Sequence, residues 1–515
     1  MVKQSRVTIW GMVLGLAALG SVPGLGQTAE QRTARYLQSV QQHPGLRQAF
    51  LRQMPKGGDL HNHLGGAIYA ESMIAFAAQD GSCVERTSQR VLPGPCEPCQ
   101  AESKIPQASC AFQDPVLYGQ LVDAWSMRNW ERGMESGHDH FFAAFGKFSG
   151  AMTRHTGDAL AEEASRAAAD HLQYVELMQT VDGLQSALLG TKTGWNDDFG
   201  EMRKQLLAGK MSEIVAAARQ RTDENEAQKQ KVLQCGTSEA QPGCQVTLRY
   251  LYQVLRGLPR EQVFAQILFG FELARVEHRF VGLNLVMPED WYVPMRDFDL
   301  HMREIEFLRK LYPEVHITLH AGELAVGLVP PEGLRFHIRE SIELAGAERI
   351  GHGTSVMHER DPLQLLQEMA KKNVLVEICL TSNDVILGVG GKNHPLAEYL
   401  RAGVPVALAT DDEGVARSDM TQEFVRAVDE QGLAYPELKK VARASLEHSF
   451  LPGASWWAQG KQNQRVAACA AADATKATAS KACQEFLAGS ERAQMQWKLE
   501  QEFAAFEKQY GAVAR

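Results

Sequence analysis

Four stretches of the 515-residue chain carry side chains able to bind a metal or move a proton, each at the end of an apolar run. His61-Asn62-His63 closes the first. Residues i and i+2 of an extended chain face one side, so both imidazoles can chelate a single ion. In His320-Ala321-Gly322-Glu323 a histidine leaves a run, two small residues including Gly322 let a ligand approach, and a carboxylate follows. His352, flanked by Gly351 and Gly353, ends a third run, and Asp411-Asp412 ends the last. Histidines and carboxylates are the residue types that ligate metals and exchange protons. Taken singly, each has a plain reading as a helix-capping or surface residue. Recurrence at four strand ends requires a fold that gathers those ends.

The elements that must do so are short apolar runs separated by amphipathic stretches. Strand candidates fall at 58–64, 173–178, 246–254, 280–286, 316–319, 349–351, 374–380 and 404–409, and helical spacing fills 260–278, 297–311, 334–346, 362–372 and 395–402. Strands alternating with helices predict a parallel sheet, and eight of them predict a (β/α)8 TIM barrel of the α/β class. The barrel spans 54–452, with insertions at about 78–165 and 180–245, a helical segment at 30–53 and a helical extension at 453–515. Both insertions leave from C-terminal strand ends, the face that holds barrel active sites. Trp125, near Met127 and Trp130 in the first insertion, is read as an apolar wall over a ligand.

Composition narrows the class. The chain is 44% hydrophobic, and Lys+Arg 53 against Asp+Glu 62 gives a formal charge of −9, which excludes strong non-specific attraction to nucleic acid or an anionic membrane. Residues 1–29 read as a signal peptide: Lys3 and Arg6, an apolar run over 7–19, then Pro23 and small residues, with the cut after Gly26 or Ala29. Export to a periplasm or the exterior follows, with no membrane association after cleavage. In such a compartment Cys83, Cys96, Cys99, Cys110, Cys235, Cys244, Cys469 and Cys483 are disulfide candidates in three local groups. The first group allows three connectivities. Cys379, inside the run 374–380, reads as a buried thiol.

The segment 54–64, His320-Ala321-Gly322-Glu323, Gly351-His352-Gly353, Thr381-Ser382-Asn383 and Thr410-Asp411-Asp412 together resemble the ordered motif set of the adenosine deaminases, in the metal-dependent amidohydrolase superfamily. The leader, length and insertions are similar to its exported, growth-factor-type branch. The resemblance covers about 54–450. It implies that His61, His63, His320 and Asp411 bind one zinc ion per chain. It further implies that His352 takes a proton from water and holds the attacking oxygen, that Glu323 donates to purine N1, and that Asp412 orients the water or the N7 side of the ring. Hydrolytic deamination of a 6-aminopurine nucleoside, adenosine or 2′-deoxyadenosine, is the implied reaction, and a small purine the implied partner. The oligomeric state stays open, a dimer included.

Three positions depart from the family pattern. Gly65 stands where an aspartate commonly holds a ribose hydroxyl, Met287 where a glycine lies against the purine edge, and Met178 where an arginine closes the second strand. These put the sugar in doubt, not the deamination. Other readings are weaker. Pro95-Cys96-Glu97-Pro98-Cys99 matches half of a cytidine-type zinc motif without its H-x-E, and His138-Asp139-His140 sits in a polar loop, not at a strand end. A different mononuclear amidohydrolase reaction, or an exported nucleoside-binding, growth-factor-like protein, are the functional alternatives.

Overall fold

All eight apolar runs form strands in a computed structural model that describes residues 27–462, 464–476 and 478–513. The expected leader falls almost wholly on residues 1–26, outside the described residues. The strands are β1 Gly57–His63, β2 Leu172–Gln179, β3 Thr247–Leu255, β4 Phe280–Val286, β5 His316–Ala321, β6 Arg349–His352, β7 Leu375–Ile378 and β8 Val406–Leu408. They pair in parallel and in sequence order. The ring closes between the last strand and the first: His63 N–H donates to the Asp411 carbonyl (3.1 Å) and Asp411 N–H to that of His61 (2.9 Å). This is the (β/α)8 barrel, and closure is what brings the four chemistry-bearing strand ends together.

The middle of the barrel is not purely apolar. Arg349 of β6 pairs with Glu176 of β2 (2.5 Å) and Glu377 of β7 (2.7 Å), all three fully buried. Thr318 and Tyr174 donate to the same two carboxylates, and the Phe450 ring lies 3.7 Å under the guanidinium. Buried charges persist only when paired and hydrogen-bonded this fully. Below, the helix Tyr435–Glu447 covers the lower ends of the strands, so closely that a Cβ on Gly57 would meet the Ala442 carbonyl. The helices Ala29–Ser39 and Glu491–Val513 pack on it together, tied by Lys439 to Glu30 (2.8 Å) and Glu507 (2.5 Å).

Between β1 and β2 a disulfide-stapled hairpin region, with Cys83–Cys96 and Cys99–Cys110 as its bridges, leads to the helix Gly137–Met152. The following helix, Thr156–Ala169, runs straight into β2 as barrel wall, so the foreign material ends about ten residues earlier than the sequence pattern suggests. Between β2 and β3 lie three helices closed by Cys235–Cys244; Cys469–Cys483 staples the C-terminal extension, and Cys379 is buried and unpaired. Among the described residues no helix is long and apolar enough to cross a membrane.

Candidate active site

At the upper end of the barrel His61 and His63 of β1, His320 of β5 and Asp411 after β8 converge. His320 Nε2 lies 3.0 Å from His61 Nε2 and 3.2 Å from His63 Nε2, and Asp411 Oδ1 lies 3.4 and 3.3 Å from the same two atoms. Donors about 2.0–2.1 Å from a tetrahedral zinc ion stand roughly 3.3 Å apart. Asp411 Oδ1 is buried with no hydrogen-bond partner, as a ligand oxygen is. The other ring nitrogens are all engaged: His61 Nδ1 with Glu377 (2.7 Å), His63 Nδ1 with Gln253 (2.9 Å), His320 Nδ1 with Asn284 (3.0 Å). Carboxylate and amide oxygens there put the proton on Nδ1 and turn each Nε2 lone pair inward. Ser382 donates to the second oxygen of Asp411 (2.6 Å). Burial works against charge on His61, but Asp411 and Glu377 outweigh it and push it up to about 10, whereas burial and the adjacent imidazoles drive His320 far down. In type and spacing these four donors fit a divalent cation.

Glu323 and His352 face the same space, Glu323 Oε1 3.7 Å from His352 Nε2. Burial, then the negative charges of Asp411 and Glu289, raises the Glu323 carboxyl well above the usual range, which favours its protonated form. Glu289 also accepts from the backbone N–H of Gly322 (3.0 Å) and Glu323 (2.8 Å), with His337 on its far side. Burial lowers His352 to about 3, leaving it neutral. Its tautomer follows from a chain of bonds. Leu396 N–H donates to His394 Nδ1, His394 Nε2 donates to Asn383 Oδ1 (3.0 Å), and the Asn383 amide donates to His352 Nδ1 (2.9 Å). The His352 proton therefore sits on Nε2, which has no other partner and points at the site. Asp412, pushed up to about 8 mainly by burial, presents an unpartnered Oδ1. Three residues here hold left-handed backbone without being glycine: Met287 (φ +86), His352 (φ +65) and Asp411 (φ +61). Such strain gathers where surrounding structure imposes a geometry.

The donors open into a cavity of about 280 Å³ lined by His63, Glu323, Asp411, Asp412 and Met287 together with apolar side chains. Two expectations fail here. Trp125 is buried inside the first insertion, its indole N–H donating to the Gln89 carbonyl, and does not reach the cavity; Phe141, Phe142 and Phe145 of the helix Gly137–Met152 form that wall instead. Gly322 does not line the cavity either: a Cβ there would meet Ile338 and Ser355, so its smallness serves packing behind the loop. Gly66, which the sequence did not single out, is obligatory, since a Cβ would lie 1.7 Å from Asp412 Oδ1, whereas Gly65 faces open space. His138 pairs with Asp290 (2.9 Å), joining the insertion helix to the loop after β4.

Comparison with known proteins converges on one family. The adenosine deaminase family model matches residues 158–456. An adenosine deaminase of Clostridium perfringens is 33% identical over 190 residues, covering 35% of this chain and 51% of that protein. One from Escherichia coli is 36% identical over 137 residues, covering 26% and 38%. The chain spans about half the length, or less, of the curated relatives it matches. Among solved structures, adenine deaminase from Arthrobacter aurescens superposes with a TM-score of 0.50 at 18% identity over 77% of this chain and 94% of that one. The Arabidopsis protein ADAL, solved with IMP, gives 0.50 at 19% over 78% and 93%. At these identities the two structures share the fold.

Proposed function

The chain belongs to the adenosine deaminase family, and on that premise we propose that it is a zinc-dependent hydrolase that replaces the 6-amino group of a purine with oxygen, releasing ammonia. The observation that carries the reading is a buried carboxyl, Glu323, 3.7 Å from His352 Nε2 and sharing a cavity with the His61–His63–His320–Asp411 donor set. A bound zinc ion supplies Lewis acidity, making a water acidic enough to attack at neutral pH. Glu323 gives its proton to N1 of the ring, which makes C6 electrophilic, and its carboxylate then takes a proton from the attacking water. That proton passes to the amino nitrogen, the C6–N bond breaks, ammonia leaves, and the remaining oxygen-bound proton returns to Glu323. His352 donates from Nε2 to the oxygen throughout; its hydrogen-bonded tautomer gives it this role in place of the proton acceptor that the family resemblance implies. Asp412 faces the ring edge.

Glu323→Gln is expected to lower ammonia release by about 10²–10⁴-fold while leaving one zinc per chain, read by metal analysis of the same sample. Undiminished turnover, or two metals per chain, would sink the mechanism.

Export belongs to the same proposal, supported by the leader-like sequence and by four disulfides. Thr28 caps the helix Ala29–Ser39 in a reciprocal pair with Gln31, which a cut after Ala29 would remove. Cleavage after Gly26 keeps it, and N-terminal sequencing of the mature protein should begin at Gln27.

A further inference from the structure

The cavity has two dissimilar ends. Polar groups sit at the metal end, where the reacting edge of the purine must lie. Beyond it the surface is Phe142, Phe145, Val286, Met287, Trp291 and Ile386, and among the described residues no lysine or arginine lines the space. The nearest polar side chains are engaged elsewhere. Gln253 holds His63 with its amide oxygen and donates from its amide nitrogen to Thr180 (3.4 Å). Arg256 is fully buried outside the cavity lining, its Nε and Nη1 donating to the carbonyls of Met287 and His320 and only its buried Nη2 left without a partner. Gly65 contributes no side chain.

Nor does this wall hang loosely. The segment that carries the three phenylalanines is fastened on one side by His138–Asp290 and on the other by Arg132–Asp384 (2.6 Å). Met287 holds a left-handed backbone and folds its side chain against Gly257, where a Cβ would lie 2.8 Å from Met287 Cε, with Trp291 beside it. A ribose hydroxyl placed against such a surface loses water and gains no partner, a penalty of roughly tenfold in affinity for each one buried. A phosphate loses more, with no cation to receive it.

We propose that the site takes an uncharged 6-aminopurine whose substituent remote from C6 is alkyl or aryl in character, in preference to a riboside or nucleotide. The proposal rests on the deaminase reading, and the test separates the two. Binding is measured by calorimetry on the zinc-loaded wild-type chain with the products 9-propylhypoxanthine, inosine and IMP, which need no turnover. Ammonia release is measured in parallel with 9-propyladenine, adenosine and AMP. The expected order is 9-propylhypoxanthine at least about tenfold tighter than inosine, with IMP weakest. Gly65→Asp, placed in open space, should narrow the gap by giving a hydroxyl an acceptor, and Phe145→Ala should weaken the propyl compound alone. Inosine binding as tightly as the propyl compound, or IMP binding best, overturns the substrate class. The expected binding order without ammonia from any of the three substrates leaves the class standing and overturns deamination.

Discussion

At the inner end of the cavity every ligand imidazole is held by a hydrogen bond to a second side chain; at the outer end the phenylalanines are held by ring packing, against one another and, for Phe142, edge-on against His138. Glu377 shows how deep the inner organisation runs. It accepts from His61 Nδ1, from Thr318 and from Arg349, whose other arm reaches Glu176. The imidazole that faces the metal is thus aimed by a column of charge descending into the barrel. The wall opposite is aimed by nothing of the kind, being one helix of an insertion laid over the strand ends. The donor set is built on the ends of barrel strands, and the apolar wall facing it on a segment inserted between two of them.

The strongest way to break this contrast is at Glu377. Arg349 overcomes burial and holds Glu377 below the usual carboxylate range, so Glu377→Gln removes a charge that both Arg349 and His61 use. Zinc affinity, measured against a competing chelator, should fall about 10–100-fold. Stability should fall by about 3–5 kcal/mol, because Arg349 is left under-compensated in the interior. Phe142→Leu on the opposite wall should leave zinc affinity unchanged. Equal zinc affinity in Glu377→Gln would mean that the column is structural only.

The inner end was largely legible in the sequence because its residues sit at strand ends in short motifs: H-x-H, His-Ala-Gly-Glu and Asp-Asp mark themselves by type and spacing. The strands were legible too, because most are short runs of apolar or β-branched residues between helical stretches, although the first, Gly57–His63, is carried more by its His-Asn-His ending than by apolar content. What sequence could not show is partnership across the barrel. Glu377 lies in the run 374–380 as a single odd carboxylate, and Glu176 likewise in β2; only ring closure reveals that Arg349 lies between them. A lone acidic residue in an otherwise apolar strand was the available signal. Asn383 was visible inside Thr-Ser-Asn, but its bond to His394, eleven residues on, needs the loop after β7. The outer wall misled for a different reason. Trp125 and the phenylalanines belong to the same insertion, and aromatic content alone does not say which helix turns toward the strand ends.

The weakest join between the two ends is the His138–Asp290 clasp, and pH should read it. Burial disfavours the charged imidazole, but Asp290 and Asp139 outweigh that and raise the pKa of His138 above its ordinary 6.5. A raised folded-state pKa means that the protonated form favours the folded chain. The contribution is complete below about pH 6.5 and disappears as pH climbs through the raised value. It is small, about 0.2–1 kcal/mol, because Asp139 is largely exposed and the pair lies near the surface. The melting temperature of the wild type should exceed that of His138→Gln at pH 5.5, and the difference should shrink steadily toward pH 8.5. A difference that stays constant or widens over that range would show that the clasp contributes nothing to keeping the wall in place.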